Sequence, residues 1–257
     1  MTENQTAQKK KVTVEVCVDS VESAIAAERG GADRVELCDN LMEGGTTPSA
    51  GAIELARKNL NIKLHVIIRP RGGDFYFSDI EFEVMKRDIK TAKELGADGV
   101  VIGLLNKDGD VDVERTYALI ELARPLSVTF HRAFDMTPNP FVSLETLISS
   151  GVDRILTSGQ EASVLEGLDL ITELVHRANS RIVIMPGGGL NERNISKVVN
   201  QSGVSEVHVT GFTNVESKMQ FRNERVFMGG ALRPPEYLRA VTDAEKIELI
   251  VRGVAKP

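Results

Sequence analysis

The sequence predicts a single-domain α/β protein, a (β/α)8 TIM barrel, on three observations. The chain has 257 residues, 42% of them hydrophobic, which suits one undivided domain of this class. Short β-rich runs alternate with helical runs, which implies parallel strands joined by right-handed crossovers. Eight such strands can be counted, the number that closes this barrel. An open doubly wound sheet is the alternative.

The predicted elements follow one another without a break in composition. The strands are expected at residues 12–17, 33–38, 62–69, 98–103, 126–131, 152–158, 181–186 and 205–210. The helices are expected near 20–30, 49–59, 78–95, 112–124, 140–150, 161–178 and 191–202. We therefore assign residues 12–257 to the barrel and residues 1–11 to a disordered N-terminal tail. That tail has no apolar segment, so it is not expected to be a secretory signal.

An internal repeat supports the count of eight strands. The segments GADRVEL, GADGVVI, GVDRILT and GVSEVHV share one pattern and introduce the second, fourth, sixth and eighth strands. Their glycine fits the position after a helix, where a positive φ is common. The chain can thus be divided into four βαβα quarters.

Composition excludes several classes of function. The net charge of -6 argues against a nucleic-acid partner, because phosphate backbones require a basic surface. No stretch approaches the roughly 20 apolar residues of a membrane span. Two cysteines without a signal peptide indicate a reducing, cytosolic setting in which a structural disulfide is not expected.

Alternation along the strands predicts a polar barrel interior. One face of each strand is apolar and suits packing on the helices. The other face carries polar residues: Thr13, Glu15, Cys17, Glu36, Cys38, His65, Arg69, Thr129, His131, His208 and Thr210. An interior filled only for stability would favour branched apolar residues, so this one indicates a site.

Glu15 and Glu36 are expected to be neighbours across a strand spacing of ~4.8 Å. Two carboxylates that close need a cation between them or a raised pKa on one of them. Arg69, on the adjacent third strand, is the expected partner. The pair is a candidate for acid–base catalysis, and a buried ion network that only holds the barrel together is the structural alternative.

Arginines and glycines at the strand ends suggest an anion site. Arg69, Arg71 and Arg132 are expected to converge where the strands end, and guanidinium groups bind carboxylate or phosphate. Ser158 ends the sixth strand. Gly187, Gly188 and Gly189 follow the seventh strand, where many barrels bind phosphate. A loop that is glycine-rich for close packing is the alternative. The segment 69–78 is expected to cover a ligand.

Histidine and cysteine complete the candidate site residues. His131 and Asp135 are a candidate base and its orienting group, or His131 binds metal with His208. Cys17 and Cys38 end adjacent strands in the same register. Thiolates so placed suit a soft ion, above all Cu(I), whereas Zn(II) requires further ligands. Two buried, inert thiols are the simpler interpretation.

These residues lie in motifs that resemble the CutC copper-homeostasis family, and its eukaryotic members most of all. The motifs are EVCVDSVESAIAAERGGADRVELC, EGGTTPS, IRPRGGDF, VTFHRAFDM, RILTSG and the late GGG, spanning about Val14 to Arg222. The resemblance implies a (β/α)8 barrel, a cytoplasmic or also nuclear location, and self-association as dimers or tetramers. It also implies Cu(I) bound by the cysteines at Cys17 and Cys38.

Two functions of different class follow. The first is a copper-homeostasis protein that binds Cu(I) for intracellular buffering or delivery. The second is a barrel enzyme acting on a small anionic or phosphorylated compound, with Glu15, Glu36, His131 and Asp135 in acid–base roles and arginines as anion clamps. The segment 211–242 is a candidate oligomer interface.

Overall fold

The barrel strands begin close to their predicted positions. A computed structural model describes residues 12–228 and 235–255, so the tail predicted for residues 1–11 lies outside the described part. The barrel strands are β1 (Thr13–Val18), β2 (Arg34–Leu37), β3 (Lys63–Ile67), β4 (Gly99–Ile102), β5 (Ser127–Phe130), β6 (Arg154–Thr157), β7 (Val183–Pro186) and β8 (Glu206–Val209).

A helix follows each barrel strand, the last one after a hairpin. These helices are α1 (Val21–Arg29), α2 (Ala50–Asn59), α3 (Asp79–Glu94), α4 (Val113–Ala123), α5 (Pro140–Ser150), α6 (Leu168–Ala178), α7 (Ile195–Ser202) and α8 (Ala244–Ala255). Several begin at a polar residue whose side chain accepts a hydrogen bond from the first turn, as Ser20, Ser49 and Asp112 do. Ser78 and Glu81 form a complete capping box at the start of α3.

The strands form one parallel sheet in the order β7-β6-β5-β4-β3-β2-β1-β8. A parallel bridge between Gly187 and His208 joins the two ends of this order. The sheet is thereby closed, and the predicted (β/α)8 barrel is confirmed. In this fold the C-terminal ends of the strands and the loops after them form one face, the barrel mouth.

The two faces of the strands separate by polarity as predicted. The outward residues Val14, Val16, Val35 and Leu37 are fully buried in the main hydrophobic core beneath the helices. A second small apolar cluster lies inside the barrel and consists of Cys17, Cys38, Ile67 and Val101. Leu156 and Met185 also face the interior, since Leu156 lines the mouth and Met185 contacts Arg34. The interior also holds these buried polar residues: Glu15, Arg34, Glu36, His65, Thr129, Arg154 and His208.

The chain after β8 contains elements that the sequence pattern did not predict. Strands β9 (Phe212–Glu216) and β10 (Leu238–Thr242) form an antiparallel hairpin, and α8 then packs against α1 and α7. The segment 211–242, which the sequence suggests as an oligomer interface, exposes these apolar residues: Met219, Phe221, Phe227 and Met228. Their role in self-association stays a prediction.

Within the described residues, no helix combines the length and the apolar character needed to cross a membrane.

Candidate functional site

The two cysteines meet at the barrel mouth. Cys17 lies near the end of β1, and Cys38 follows the last residue of β2. Their Sγ atoms are 3.6 Å apart, and both thiols are free and buried. Sγ of Cys38 also lies 3.6 Å from Oε2 of Glu36. These three side chains place their ligand atoms within 4.8 Å of one another.

The thiols differ in their readiness to ionise. The hydrogen bond from Cys38 lowers the pKa of Cys17 to about 5 against the effect of burial, with further help from His208. The pKa of Cys38 is raised well above the usual range by the same hydrogen bond to Cys17 and by burial. The pair is therefore one thiolate supported by one thiol in the metal-free protein.

Glu15 is the centre of a deeper ionic cluster. Burial opposes its ionisation, but the charge of Arg34 and the hydrogen bond from His208 hold its pKa well below the usual range. Nδ1 of His208 lies 2.7 Å from Oε1 of Glu15, and Nε of Arg34 contacts the other carboxylate oxygen. The expectation that Arg69 pairs with Glu15 and Glu36 is wrong, because Arg34 occupies that position.

A second row of charges lies next to Arg34. Nε of Arg154 is 3.1 Å from Oε2 of Glu206, and Arg34 contacts the same oxygen. Arg154 also donates to the hydroxyl of Ser127 at 2.7 Å. Sequence reasoning missed Arg34, Arg154 and Glu206. A signal was present, because Arg34 and Arg154 occupy the same place in two copies of the internal repeat.

Glu36 links the thiols to the ionic cluster. Its Oε2 atom lies 3.7 Å from Nε2 of His208 and 3.6 Å from Sγ of Cys38. Burial raises its pKa well above the usual range, and the charge of Cys17 adds to this effect. His208 carries the opposite shift: burial lowers its pKa, yet hydrogen bonds to Cys17 and Glu15 raise it overall. His208 is thus a protonated ring between two carboxyl groups.

Arg69 reaches the mouth but binds backbone carbonyls there. Its NH1 donates to the carbonyls of Glu43 and Gly45 at 2.7 and 2.9 Å, and its NH2 to that of Gly73 at 2.9 Å. The guanidinium carbon lies 5.1 Å from the ring centroid of Phe75. Its Nε atom has no partner among the described residues.

His131 lies beside the same aromatic ring. Its ring centroid is 5.1 Å from that of Phe75, and Nδ1 accepts a hydrogen bond from the backbone N–H of Ala133 at 3.1 Å. Burial, reinforced by the charge of Arg69, lowers the pKa of His131 to about 3. The ring is therefore neutral. It does not contact Asp135, so the expected base–orienter pair does not form.

Asp135 instead is the acceptor of a dense set of donors. Its carboxylate accepts from Nε of Arg132 at 2.8 Å and from the N–H and hydroxyl of Ser158 at 3.0 and 2.9 Å. The N–H of Gln160 at 3.2 Å and the hydroxyl of Thr157 complete the set. Arg132 also donates to the Ser158 hydroxyl at 2.7 Å. The anion that these donors bind is therefore the carboxylate of Asp135.

The predicted anion residues divide into two groups. A Cβ atom on Gly188 would lie 3.3 Å from Cβ of Ser158 and 3.6 Å from Cζ of Arg132, so the glycine loop 187–189 packs on that pair. Arg71 is elsewhere. It donates to Glu81 at 2.6 Å and lies 4.9 Å from the ring centroid of Phe77. Arg71 therefore fixes the loop 69–78 rather than the mouth.

A cavity of about 300 Å³ occupies the centre of the mouth. The residues that line it include Cys17, Glu36, Arg69, Phe75, His131 and His208. A larger groove of about 740 Å³ lies on the outer surface between the helices, where its lining includes Tyr117 and Phe141. The chemistry-bearing side chains converge in the smaller cavity.

Comparison with known proteins shows the family of this chain. Residues 12–213 match the model of the CutC family. The chain belongs to the CutC family. The human copper homeostasis protein cutC homolog is 52% identical over 95% of this chain and 89% of its own. A "family protein CutC" of Parabacteroides distasonis is 50% identical over 94% of this chain and its whole length.

A solved structure of a CutC protein has the same fold. The protein, from Streptococcus agalactiae and described as a putative copper homeostasis protein, superposes with a TM-score of 0.75 at 37% identity. The match covers 77% of this chain and 98% of that one. The family resemblance stated from the motifs is confirmed.

Proposed function

We propose that this CutC protein binds Cu(I) through the Sγ atoms of Cys17 and Cys38, for intracellular copper buffering or delivery. The observation that supports this most directly is the 3.6 Å separation of the two sulfur atoms. Small rotations of the side chains let one ion contact both. Thiolates are soft ligands that favour Cu(I) over hard cations.

The set of donors around the sulfurs favours Cu(I) over Zn(II). Structural zinc is almost always held by four ligands. The described residues offer two thiols and the carboxyl group of Glu36 within reach of one another. His208 is hydrogen-bonded to Glu15 and protonated, so its ring is not available as a fourth ligand. Low-coordinate Cu(I) needs no more than the two sulfurs.

Accessibility supports reversible loading. Cys17 is 6% exposed and Cys38 2% exposed, which protects the sulfurs from bulk water. Cys17 nevertheless lines the mouth cavity, which provides an entry path for an ion. The proposal includes a cytoplasmic location, with the nucleus as a second compartment, because free thiols persist where the medium is reducing.

The test is an anaerobic Cu(I) titration against a competing chromophoric chelator. We expect one equivalent of Cu(I) for the wild type, and a loss of affinity of more than about a hundredfold for Cys17→Ser and for Cys38→Ser. Loss of residues that merely support ligands already costs roughly 10–100-fold. Met136→Leu is the control, since Met136 is an exposed thioether that also lines the mouth.

Unchanged stoichiometry and affinity in both cysteine variants would exclude this site. A loss in Met136→Leu of the same size would move the copper site from the thiols to the rim.

A further inference from the structure

Three buried polar atoms in the mouth cavity have no hydrogen-bond partner among the described residues. They are Oε1 of Glu36, Nε of Arg69 and Nε2 of His131. The three side chains belong to residues that are 3%, 5% and 5% exposed, and all line the same cavity. Buried polar groups are almost always paired in folded proteins. Three unpaired groups around one cavity therefore indicate a ligand with complementary polar atoms.

His131 presents a hydrogen-bond donor to this cavity. Its Nδ1 atom accepts from the N–H of Ala133, so in a neutral ring the proton resides on Nε2. Burial and the charge of Arg69 keep the ring neutral in the physiological pH range. Gly103 makes this placement possible, because a Cβ atom there would overlap the ring of His131.

Arg69 presents a second donor. Carbonyl oxygens accept from NH1 and NH2 and fix the guanidinium plane, which leaves the Nε–H group unpaired. Phe75 packs against both Arg69 and His131, with 5.1 Å from its ring centroid to the guanidinium carbon and to the imidazole centroid. The two donors are thus held beside one aromatic ring.

A carboxylate group is the ligand feature that these donors recognise. It is planar, accepts from two directions, and compensates the charge of Arg69. The unpaired Oε1 of Glu36 requires a different group on the same ligand. A hydroxyl meets this requirement in either state of Glu36, because it donates to a carboxylate and accepts from a carboxylic acid.

Phosphate fits the mouth less well. The backbone and hydroxyl donors after β6 that would hold a phosphate already bind the carboxylate of Asp135. Arg132 is paired with the same carboxylate. A phosphate placed there would meet a fixed negative charge and find its donors occupied.

We propose that the mouth cavity binds a small hydroxylated carboxylate, with its carboxylate on Arg69 and His131 and its hydroxyl on Glu36. The volume of about 300 Å³ lies at the lower end of the range for ligand pockets, which limits the ligand to a small molecule. Phe75 covers the carboxylate end. The site is separate in chemistry from the Cu(I) site, although Cys17 borders both.

The test uses glycolate, acetate and ethylene glycol as probes on the metal-free protein. Nitrogen NMR of the His131 ring is followed during each titration into the millimolar range. We expect glycolate to shift Nε2 of His131 saturably, acetate to bind more weakly because it lacks the hydroxyl, and ethylene glycol to have no effect because it lacks the carboxylate. Glycolate binding in Glu36→Ala should fall towards that of acetate, because alanine offers no polar atom to the hydroxyl.

Variants separate this site from general carboxylate binding. Arg69→Lys and His131→Asn should each weaken the binding of glycolate by about tenfold or more, since each removes a directed hydrogen-bond donor. Binding to the two variants is followed by the mid-point of thermal unfolding. Arg181→Lys and His176→Asn change the same residue types on the exposed surface and should bind as the wild type does.

Cys38→Ser distinguishes this proposal from the copper proposal, because Cys38 should be needed for Cu(I) and not for glycolate. No saturable binding of glycolate by the wild type would overturn the carboxylate site. Equal binding by Arg69→Lys and wild type would also overturn it.

Discussion

Nδ1 of His208 on β8 lies 2.7 Å from Oε1 of Glu15 on β1, which joins the last barrel strand to the first through a buried ion pair. The two residues are opposite one another in the strand register. The second oxygen of Glu15 contacts Arg34 on β2. One carboxylate therefore compensates two buried cations contributed by both neighbouring strands.

Removing this carboxylate should destabilise the barrel strongly. Glu15→Ala removes the carboxylate that Arg34 and His208 share and leaves Arg34 paired with Glu206 alone. Breaking a buried ion pair in this way costs about 3–5 kcal/mol. Glu15→Gln keeps the shape and some hydrogen bonds, so we expect a smaller loss. The free energy of unfolding, from urea denaturation at neutral pH, measures both.

Glu145→Ala is the control for this prediction. Glu145 also pairs with an arginine, Arg181 at 2.6 Å, but the pair is on the surface, where water and salt screen it. We expect no clear change in the unfolding midpoint. If Glu15→Ala lowered the free energy of unfolding no more than Glu145→Ala does, the ionic cluster would not contribute to the stability of the barrel.

The sequence was sufficient to predict that several polar side chains enter the barrel. Alternation is a local property of a strand, so Glu15, Glu36 and His65 could be assigned to the interior from the apolar residues between them. The positions of Cys17 and Cys38 near the strand ends followed in the same way. The fold could be predicted because each quarter of the chain repeats the same order of elements.

Contacts between strands could not be predicted with the same certainty. Arg69 and Arg34 have the correct parity to face Glu15, but parallel strands in a barrel are staggered, and the stagger sets the height of each residue. The register places Arg34 directly opposite Glu15. Arg69 lies beyond the end of β3 and turns to the loop carbonyls. Parity alone does not contain this information.

The elements after β8 were missed for a different reason. The segment 211–242 was interpreted as an interface, and its hairpin pairs residues more than twenty positions apart, which local patterns do not show. Helix α8 did leave a signal. Ile247, Ile250 and Val254 are buried at helical spacing on one face, and Asp243 precedes the first turn.

The stability of the protein should fall in acid partly through His131. Its folded pKa of about 3 is below the usual 6.5, so the unfolded chain binds a proton that the folded chain excludes. This contribution is complete above the unfolded pKa and is lost as the pH falls. The loss amounts to about 2 kcal/mol near pH 5 for this one residue.

His131→Asn isolates that effect. Its amide oxygen can accept from the N–H of Ala133 as Nδ1 does, so the turn is retained while the titrating group is removed. We expect the unfolding free energy of the variant to decline less than that of the wild type between about pH 7 and pH 5. Parallel profiles for the two proteins would show that His131 titrates normally in the folded state.

Gly103 should be essential to the placement of the His131 ring. A Cβ atom at this position would overlap the ring and lie 2.9 Å from Cβ of Ala133, so Gly103→Ala forces the imidazole out of the cavity. Overpacking of this kind costs about 1–3 kcal/mol.

Gly51→Ala is the matched control, because a Cβ atom there meets nothing within 4 Å and Gly51 lies in α2. Alanine is the better helix former by roughly 0.5–1 kcal/mol, so we expect the control to be stabilised. Urea denaturation measures the free energy of unfolding of both variants, and the ring nitrogen shifts of His131 report on the position of the ring. If Gly103→Ala left both the unfolding free energy and these shifts unchanged, the predicted overlap would be contradicted.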